Sequence, residues 1–245
     1  MTRRLPRVLM YHSISSPSEG PDDLCVSPER FEEQMLALRR AGLRGVSMRE
    51  LCSASARGRA RRLVGLTFDD AYRDFLEAAV PALERVGFTA TVFAVAGMLG
   101  KENVWEHRSA EKRPRLALLD AAGLREAAER GMEVGSHTTT HPRLSRLEGE
   151  DLEREIGGSR RLLQEALGLP IEGLCYPYGD LSPAAVEAAR RAGYRYACAT
   201  KWRVEGSIHD WPRIFVSDED TPLRLWAKLA LDTLRRLTRR SRSGA

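Results

Sequence analysis

A chain of 245 residues, 42% apolar and 30% charged, is long enough for one globular domain with a sizeable core and has a size common among α/β barrels. Its net charge of +5 is uneven: from Thr221 to Ala245, Arg224, Lys228, Arg235, Arg236, Arg239, Arg240 and Arg242 stand against Asp232 alone, which leaves residues 1–220 near −1. The basic balance therefore gives no argument for nucleic-acid binding by the body of the protein.

The run after Met1–Arg7 breaks at Tyr11-His12-Ser13, too short and polar for the apolar core of a signal peptide, and nothing approaches a transmembrane span. Cys25, Cys52, Cys175 and Cys198 make no close pair, so free thiols in a reducing compartment are expected. The expected location is cytoplasmic.

In chain order, Val8-Leu9-Met10-Tyr11 reads as a strand ending at His12. Ser27-Pro28 offers a cap and a first-turn proline for a helix with apolar positions Phe31, Met35 and Leu38, ending near Gly42. Gly45-Val46-Ser47 is a short strand. Leu63-Val64-Gly65-Leu66 is a buried strand running into Thr67-Phe68-Asp69-Asp70. Tyr72 to Val86 reads as a helix bent by Pro81, and Thr89 to Ala96 as a strand. Lys101 to Arg115 is an insertion carrying Asn103, Trp105 and His107. Asp120 to Arg130 is a helix, Met132 to Gly135 a strand, Glu150 to Leu167 a longer helix, and Gly173 to Tyr176 a strand. Ser182 to Ala192 is a helix, and Tyr196 to Ala199 and Arg213 to Val216 are strands. This alternation argues for parallel strands with helical crossovers. From Pro222, the apolar residues Leu223, Trp226, Ala230, Leu234 and Leu237 fall at spacings of three and four. The division expected is a body over 1–220 and a basic amphipathic helix and tail over 221–245. The helix suits an anionic membrane surface, or packs on the body with a solvated Arg end.

His12, Asp69, Asp70, His137 and Pro177-Tyr178 all follow predicted strands. In a barrel of parallel strands these ends share the face where active sites lie. Asp70 with the His137-x-x-x-His141 pair is a metal-ligand inventory that leaves a coordination position open, and the adjacent Asp69 is a candidate general base. Zn²⁺ is the default ion for two imidazoles and a carboxylate, with Fe²⁺, Co²⁺ and Ni²⁺ as alternatives.

Thr67-Phe68-Asp69-Asp70, then Ser136-His137-x-x-x-His141, then Tyr176-Pro177-Tyr178-Gly179 resemble the motifs of the polysaccharide deacetylase (NodB homology) superfamily, carbohydrate esterase family four, over most of residues 7–216. The resemblance implies a distorted (β/α) barrel and metal-dependent removal of N-acetyl groups from N-acetylglucosamine units. It makes Asp69 the general base and Asp70, His137 and His141 the metal ligands. It gives the backbone N–H of Tyr178, braced by Pro177, to the oxyanion. Two positions depart from the family pattern. Cys175 stands where the usual third motif has an Arg that orients the base; Arg213 is the candidate substitute, or else a plain structural ion pair. Nothing after His209, read as a surface residue, supplies the usual C-terminal Leu-x-His. The Val8–His12 strand resembles that of the circularly permuted poly-N-acetylglucosamine deacetylases, which would make His12 the general acid for the leaving amine; otherwise it is a polar residue at a turn.

Trp105 would stack on a sugar face or anchor its loop, and Trp202 and Trp211 carry the same two readings. The substrate expected is an N-acetylated glycan, or a lipid-linked sugar if the tail meets the inner membrane face. The rival readings are an amidohydrolase acting on a non-sugar amide and a non-catalytic glycan-binding module.

Overall fold

The computed structural model describes residues 5–16, 24–105, 115–200 and 207–242, with side chains of the last helix described up to Thr233. The elements in order are β1 (Val8–Tyr11), α1 (Pro28–Arg40), β2 (Arg44–Val46), α2 (Met48–Ala56), β3 (Leu63–Phe68), a π-turn (Phe75–Ala79) leading into α3 (Val80–Val86), and β4 (Thr91–Ala94). Next come α4 (Ala121–Glu129), β5 (Glu133–Ser136), α5 (Gly149–Glu153), a second π-turn (Arg154–Gly158) leading into α6 (Ser159–Leu167), and β6 (Gly173–Cys175). The chain then forms α7 (Pro183–Arg191), β7 (Tyr196–Ala199), β8 (Trp211–Pro212), β9 (Ile214–Phe215) and α8 (Pro222–Arg242).

All strand pairings are parallel, in the order β8-β7-β6-β5-β4-β3-β1-β9, and β2 pairs the first half of β3. Both faces of such a sheet are covered, so its strands read as unbroken apolar runs. Every residue of β1, β4, β5 and β7 is buried. The sheet curls into the distorted (β/α) barrel that the sequence predicts. Tyr11, Phe31, Phe68 and Phe75 pack as one aromatic cluster, with ring centroids 4.8–5.7 Å apart, beneath the ends of β1 and β3.

The predicted strand Arg213–Val216 shortens to β9, and β8, which was not among the predicted elements, precedes it. β8 pairs β7 and β9 pairs β1, so the chain changes partner at Arg213 and joins the two ends of the sheet. The helix expected to bend at Pro81 begins as the π-turn. Proline lacks an N–H and crowds the carbonyl four residues back, and a widened turn just ahead of it relieves both. Ser27 precedes α1, but its side chain does not cap the helix; its N–H and hydroxyl both donate to Asp218 Oδ1, at 2.8 and 2.6 Å. α2, capped by the Ser47 hydroxyl, was not among the predicted elements.

α8 also differs in register. Leu225 and Leu229 are its buried pair, with Trp226 partly buried beside them, where the helix packs on α1. Leu223 and Ala230 of the predicted stripe are exposed. The spacing of three and four is satisfied equally by two faces, and contact with α1 selects the one holding Leu225 and Leu229. The side chains of Leu234 and Leu237 lie outside the described residues. No described helix is long and apolar enough to cross a membrane. Truncating a buried leucine leaves a cavity, so Leu229→Ala is expected to lower unfolding free energy in urea by about 2–5 kcal/mol. An unchanged midpoint would mean that α8 contributes nothing to the body.

Candidate active site

Three loops at the carboxyl ends of β3, β5 and β6 meet the end of β1. Asp69 and Asp70 follow β3, His137 to His141 follow β5, Pro177 to Gly179 form a single 3₁₀ turn after β6, and His12 follows β1. Among the described residues, the non-glycine positions with positive φ are Asp70, Ala71, Thr138, His141 and Tyr178, all in these loops. For a β-branched residue such as Thr138 that conformation is an outlier, and strain of this kind persists only where surrounding contacts over-determine it.

Asp70 Oδ1 lies 3.5 Å from His137 Nε2 and 3.4 Å from His141 Nε2. It is buried and has no hydrogen-bond partner. The His137 Nδ1 atom bonds the Cys175 carbonyl at 2.8 Å, which fixes the proton on Nδ1 and leaves the Nε2 lone pair facing Asp70. Burial lowers the His137 pKa and keeps the ring neutral, as a ligand must be. Burial, and then the adjacent Asp69 charge, push Asp70 up to about 8; a cation between the three side chains would offset that cost. Burial, and then the Asp70 charge, raise the pKa of the Tyr72 phenol. The donor set of Asp70, His137 and His141 fits a divalent metal.

Asp69 has the opposite environment. Arg213 reaches it with both terminal nitrogens, Nη1 to Oδ1 at 2.6 Å and Nη2 to Oδ2 at 2.7 Å, with both residues buried. Burial alone would raise the Asp69 pKa. The Arg213 charge and its hydrogen bonds overcome this, helped by His137 and His12, and hold the carboxylate well below its usual range. Arg213 also donates to Thr67 Oγ1 at 3.1 Å and the Ala199 carbonyl at 3.3 Å. Its Nη2 sits 3.0 Å from Cys175 Sγ. The small thiol leaves room for the guanidinium, which enters from the seam of the barrel.

His12 Nε2 lies 3.8 Å from Asp69 Oδ2. The residues just after it are tied down by Asp74, which accepts the Ser13 hydroxyl at 2.5 Å and the Ile14 N–H at 3.0 Å. Tyr178 has φ 60°, and its ring contacts the edge of His141 at 4.6 Å and lies 4.4 Å beneath the Arg143 guanidinium. At Gly179, φ 63°, a side chain would meet Thr200 Oγ1 at 2.0 Å, so the turn requires glycine there. Trp105 stacks on His141 with centroids 4.5 Å apart, which covers one indole face with a site histidine. Asn103 bridges the neck of its loop, donating to the Tyr72 hydroxyl at 3.4 Å and accepting from the Leu116 N–H at 2.7 Å. Trp211 is fully buried and donates to the Pro6 carbonyl, so it is a core residue. His209 is half-buried, with Nε2 2.8 Å from the Tyr194 carbonyl. His107 and Trp202 lie outside the described residues. Tyr72, Asp74 and Arg143 were not singled out in the sequence; no local spacing marks them.

This fold and constellation are those of a carbohydrate esterase of the NodB type. The chain belongs to the polysaccharide deacetylase family, a family of hydrolases, whose pattern matches residues 56–197. It is 29% identical over 200 residues to YxkH of Bacillus subtilis (strain 168), an alignment spanning 81% of this chain and 65% of that protein. It is 23% identical over 217 residues to the poly-beta-1,6-N-acetyl-D-glucosamine N-deacetylase of Staphylococcus aureus (strain MSSA476), covering 83% and 72%. The Streptococcus pyogenes deacetylase PplD, solved in complex with acetate, superposes with a TM-score of 0.78 at 25% identity, over 93% of this chain and 99% of that one. The S. aureus relative is named for the poly-N-acetylglucosamine type that the Val8–His12 strand resembles.

Removing one partner of a buried ion pair strands the other charge, at a cost of about 3–5 kcal/mol. Arg213→Met is expected to lose about that much stability at pH 7. Lowering the pH should shrink the difference. The paired wild-type Asp69 has a depressed pKa, so its contribution is present above the ordinary carboxylate range and lost as pH falls through the folded value. The stranded Asp69 of the variant is relieved by protonation. Urea unfolding at pH 7 and pH 4 checks this, and a penalty that grows on acidification would refute it.

Proposed function

We propose that this protein hydrolyses the N-acetyl groups of an N-acetylglucosamine glycan to free amine and acetate. The observation that carries this reading is the pairing of two adjacent carboxylates in opposite environments: Asp69 held ionised by Arg213, and Asp70 turned onto two histidines. In this reading Asp69 accepts the proton of the attacking water. Arg213 keeps it ionised and aimed. The Tyr178 N–H donates to the oxygen of the tetrahedral intermediate, where a fixed donor matches developing charge. His12 protonates the departing amine, which leaves poorly as an anion. A divalent ion held by Asp70, His137 and His141, Zn²⁺ by the chemistry of the donors, would supply Lewis-acid polarisation and lower the pKa of water. The S. aureus relative, named as a poly-beta-1,6-N-acetyl-D-glucosamine N-deacetylase, supports the amide chemistry and the class of substrate, and the S. pyogenes relative, named as a deacetylase, supports acetyl removal.

Acetate release from N-acetylglucosamine oligomers tests the assignment. Chelation should abolish it and added Zn²⁺ or Co²⁺ restore it. Asp69→Asn and His12→Gln should each lower kcat about 10²–10⁴-fold, and only the His12 variant should alter the alkaline limb of the pH profile. Turnover of simple amides with no glycan activity would favour a non-sugar amidohydrolase. Glycan binding that survives metal removal, with no acetate from any substrate, would favour a binding module.

The location proposed is the cytoplasm, with α8 resting on anionic lipid and a lipid-linked sugar as substrate. Leu223 and Leu231, 79% and 51% exposed on the side of α8 away from its buried pair, and the Arg-rich sequence that follows support this. Flotation with liposomes containing anionic lipid should recover the protein, and Leu223→Asp should weaken recovery. Equal recovery with neutral liposomes, or none, would overturn the lipid contact.

A further inference from the structure

Glu155 is 9% exposed, yet no Lys, Arg or His among the described residues forms a salt bridge with it. An ionised carboxylate out of water requires other compensation. All of it comes from the segment between His137 and His141. Glu155 Oε2 accepts the backbone N–H groups of Thr139 and Thr140, both at 2.9 Å, and Oε1 accepts the Thr140 hydroxyl at 2.7 Å. Behind it, the Thr139 hydroxyl donates to the Arg154 carbonyl at 3.1 Å.

That segment is strained at both ends, with φ of 69° at Thr138 and 66° at His141. On its other side, the Thr138 and Thr139 carbonyls accept from Ala96 and Gly97, both at 2.9 Å. A side chain at Gly97 would stand 2.7 Å from the Thr139 oxygen. The loop is thus clamped between a backbone ledge and one carboxylate.

Glu155 reaches the loop from the π-turn Arg154–Gly158, whose wide turn buries three consecutive residues, Glu155, Ile156 and Gly157. Single π-turns inside α-helices occur frequently at functional sites. The chain uses the same device at the opposite edge of the site, where Asp74, immediately before the π-turn Phe75–Ala79, holds the two residues after His12.

We propose that Glu155 is a positioning residue for the metal loop: its carboxylate holds the strained His137–His141 turn in the shape that brings both imidazoles to Asp70. The inference rests on the reading of Asp70, His137 and His141 as metal ligands. It concerns ligand geometry, so the test reads metal binding directly and not turnover. Groups that orient metal ligands from behind typically cost 10–100-fold in affinity when removed.

The experiment titrates metal-stripped protein with Zn²⁺ by calorimetry and with Co²⁺ by visible absorption, for wild type, Glu155→Ala, Glu155→Asp and Glu155→Gln. The Ala variant, and the Asp variant whose carboxylate is one methylene short, should bind Zn²⁺ about 10–100-fold more weakly and shift the Co²⁺ bands. The Gln variant, which keeps an oxygen for the two N–H groups, should recover most of the affinity and the wild-type spectrum. A purely structural role would lower the unfolding temperature of stripped protein while leaving Zn²⁺ affinity and Co²⁺ bands unchanged, and that result overturns the proposal. Should the Ala variant fail to fold, equal affinities for wild type, Asp and Gln do the same. A wild type that takes up neither ion removes the metal reading itself, whereas wild-type binding with unaffected variants removes the clamp alone.

Discussion

The contact between Arg213 and Asp69 joins the closure of the barrel to the electrostatics of its mouth. Arg213 is the single residue between β8 and β9, where the chain leaves one end of the sheet and pairs with the other. Its guanidinium therefore points inward at the seam, and its bidentate grip on Asp69 ties the seam to the end of β3. A buried ion pair stabilises only when every remaining donor is satisfied. Thr67 Oγ1 and the Ala199 carbonyl meet that need, and Cys175 is small enough to leave the space.

From this follows the asymmetry between two neighbouring carboxylates. Asp69 is nearly as buried as Asp70, so burial by itself would raise both pKa values. Arg213 lies against one and not the other, and the left-handed backbone at Asp70 turns its side chain away towards the histidines. One carboxylate is held ionised by a guanidinium, and the other is turned onto two imidazoles with its pKa raised. Opposed environments for paired titratable groups are a common basis of acid–base and metal chemistry.

Among the described residues, the non-glycine positions at positive φ lie in the loops, while the elements beneath them are regular and tightly packed. Each non-glycine residue at positive φ costs about 1–3 kcal/mol, which a barrel core with stacked Tyr11 and Phe68 can support. The two π-turns extend that support, because each brings an acid from a helix to a histidine-bearing loop. Backbone geometry in the site is thereby set by hydrogen bonds from outside it.

The sequence by itself determined the order of strands and helices apart from α2 and β8, the barrel class and the strand-end positions of His12, Asp69, Asp70, His137 and Tyr178. Unbroken apolar runs mark strands buried on both faces, and the polar residue that ends each run falls at the same rim of a parallel barrel. Only the tertiary structure decided which cation meets Asp69, because Arg213 lies 144 residues away in sequence and a structural ion pair has the same local pattern. It also decided the face on which α8 packs, since two stripes satisfy helical spacing equally. The parts played by Asp74 and Glu155 were decided there too. A carboxylate on a helix reads as solvated surface until the fold places unpaired backbone N–H groups against it, and those groups leave no trace in side-chain identity.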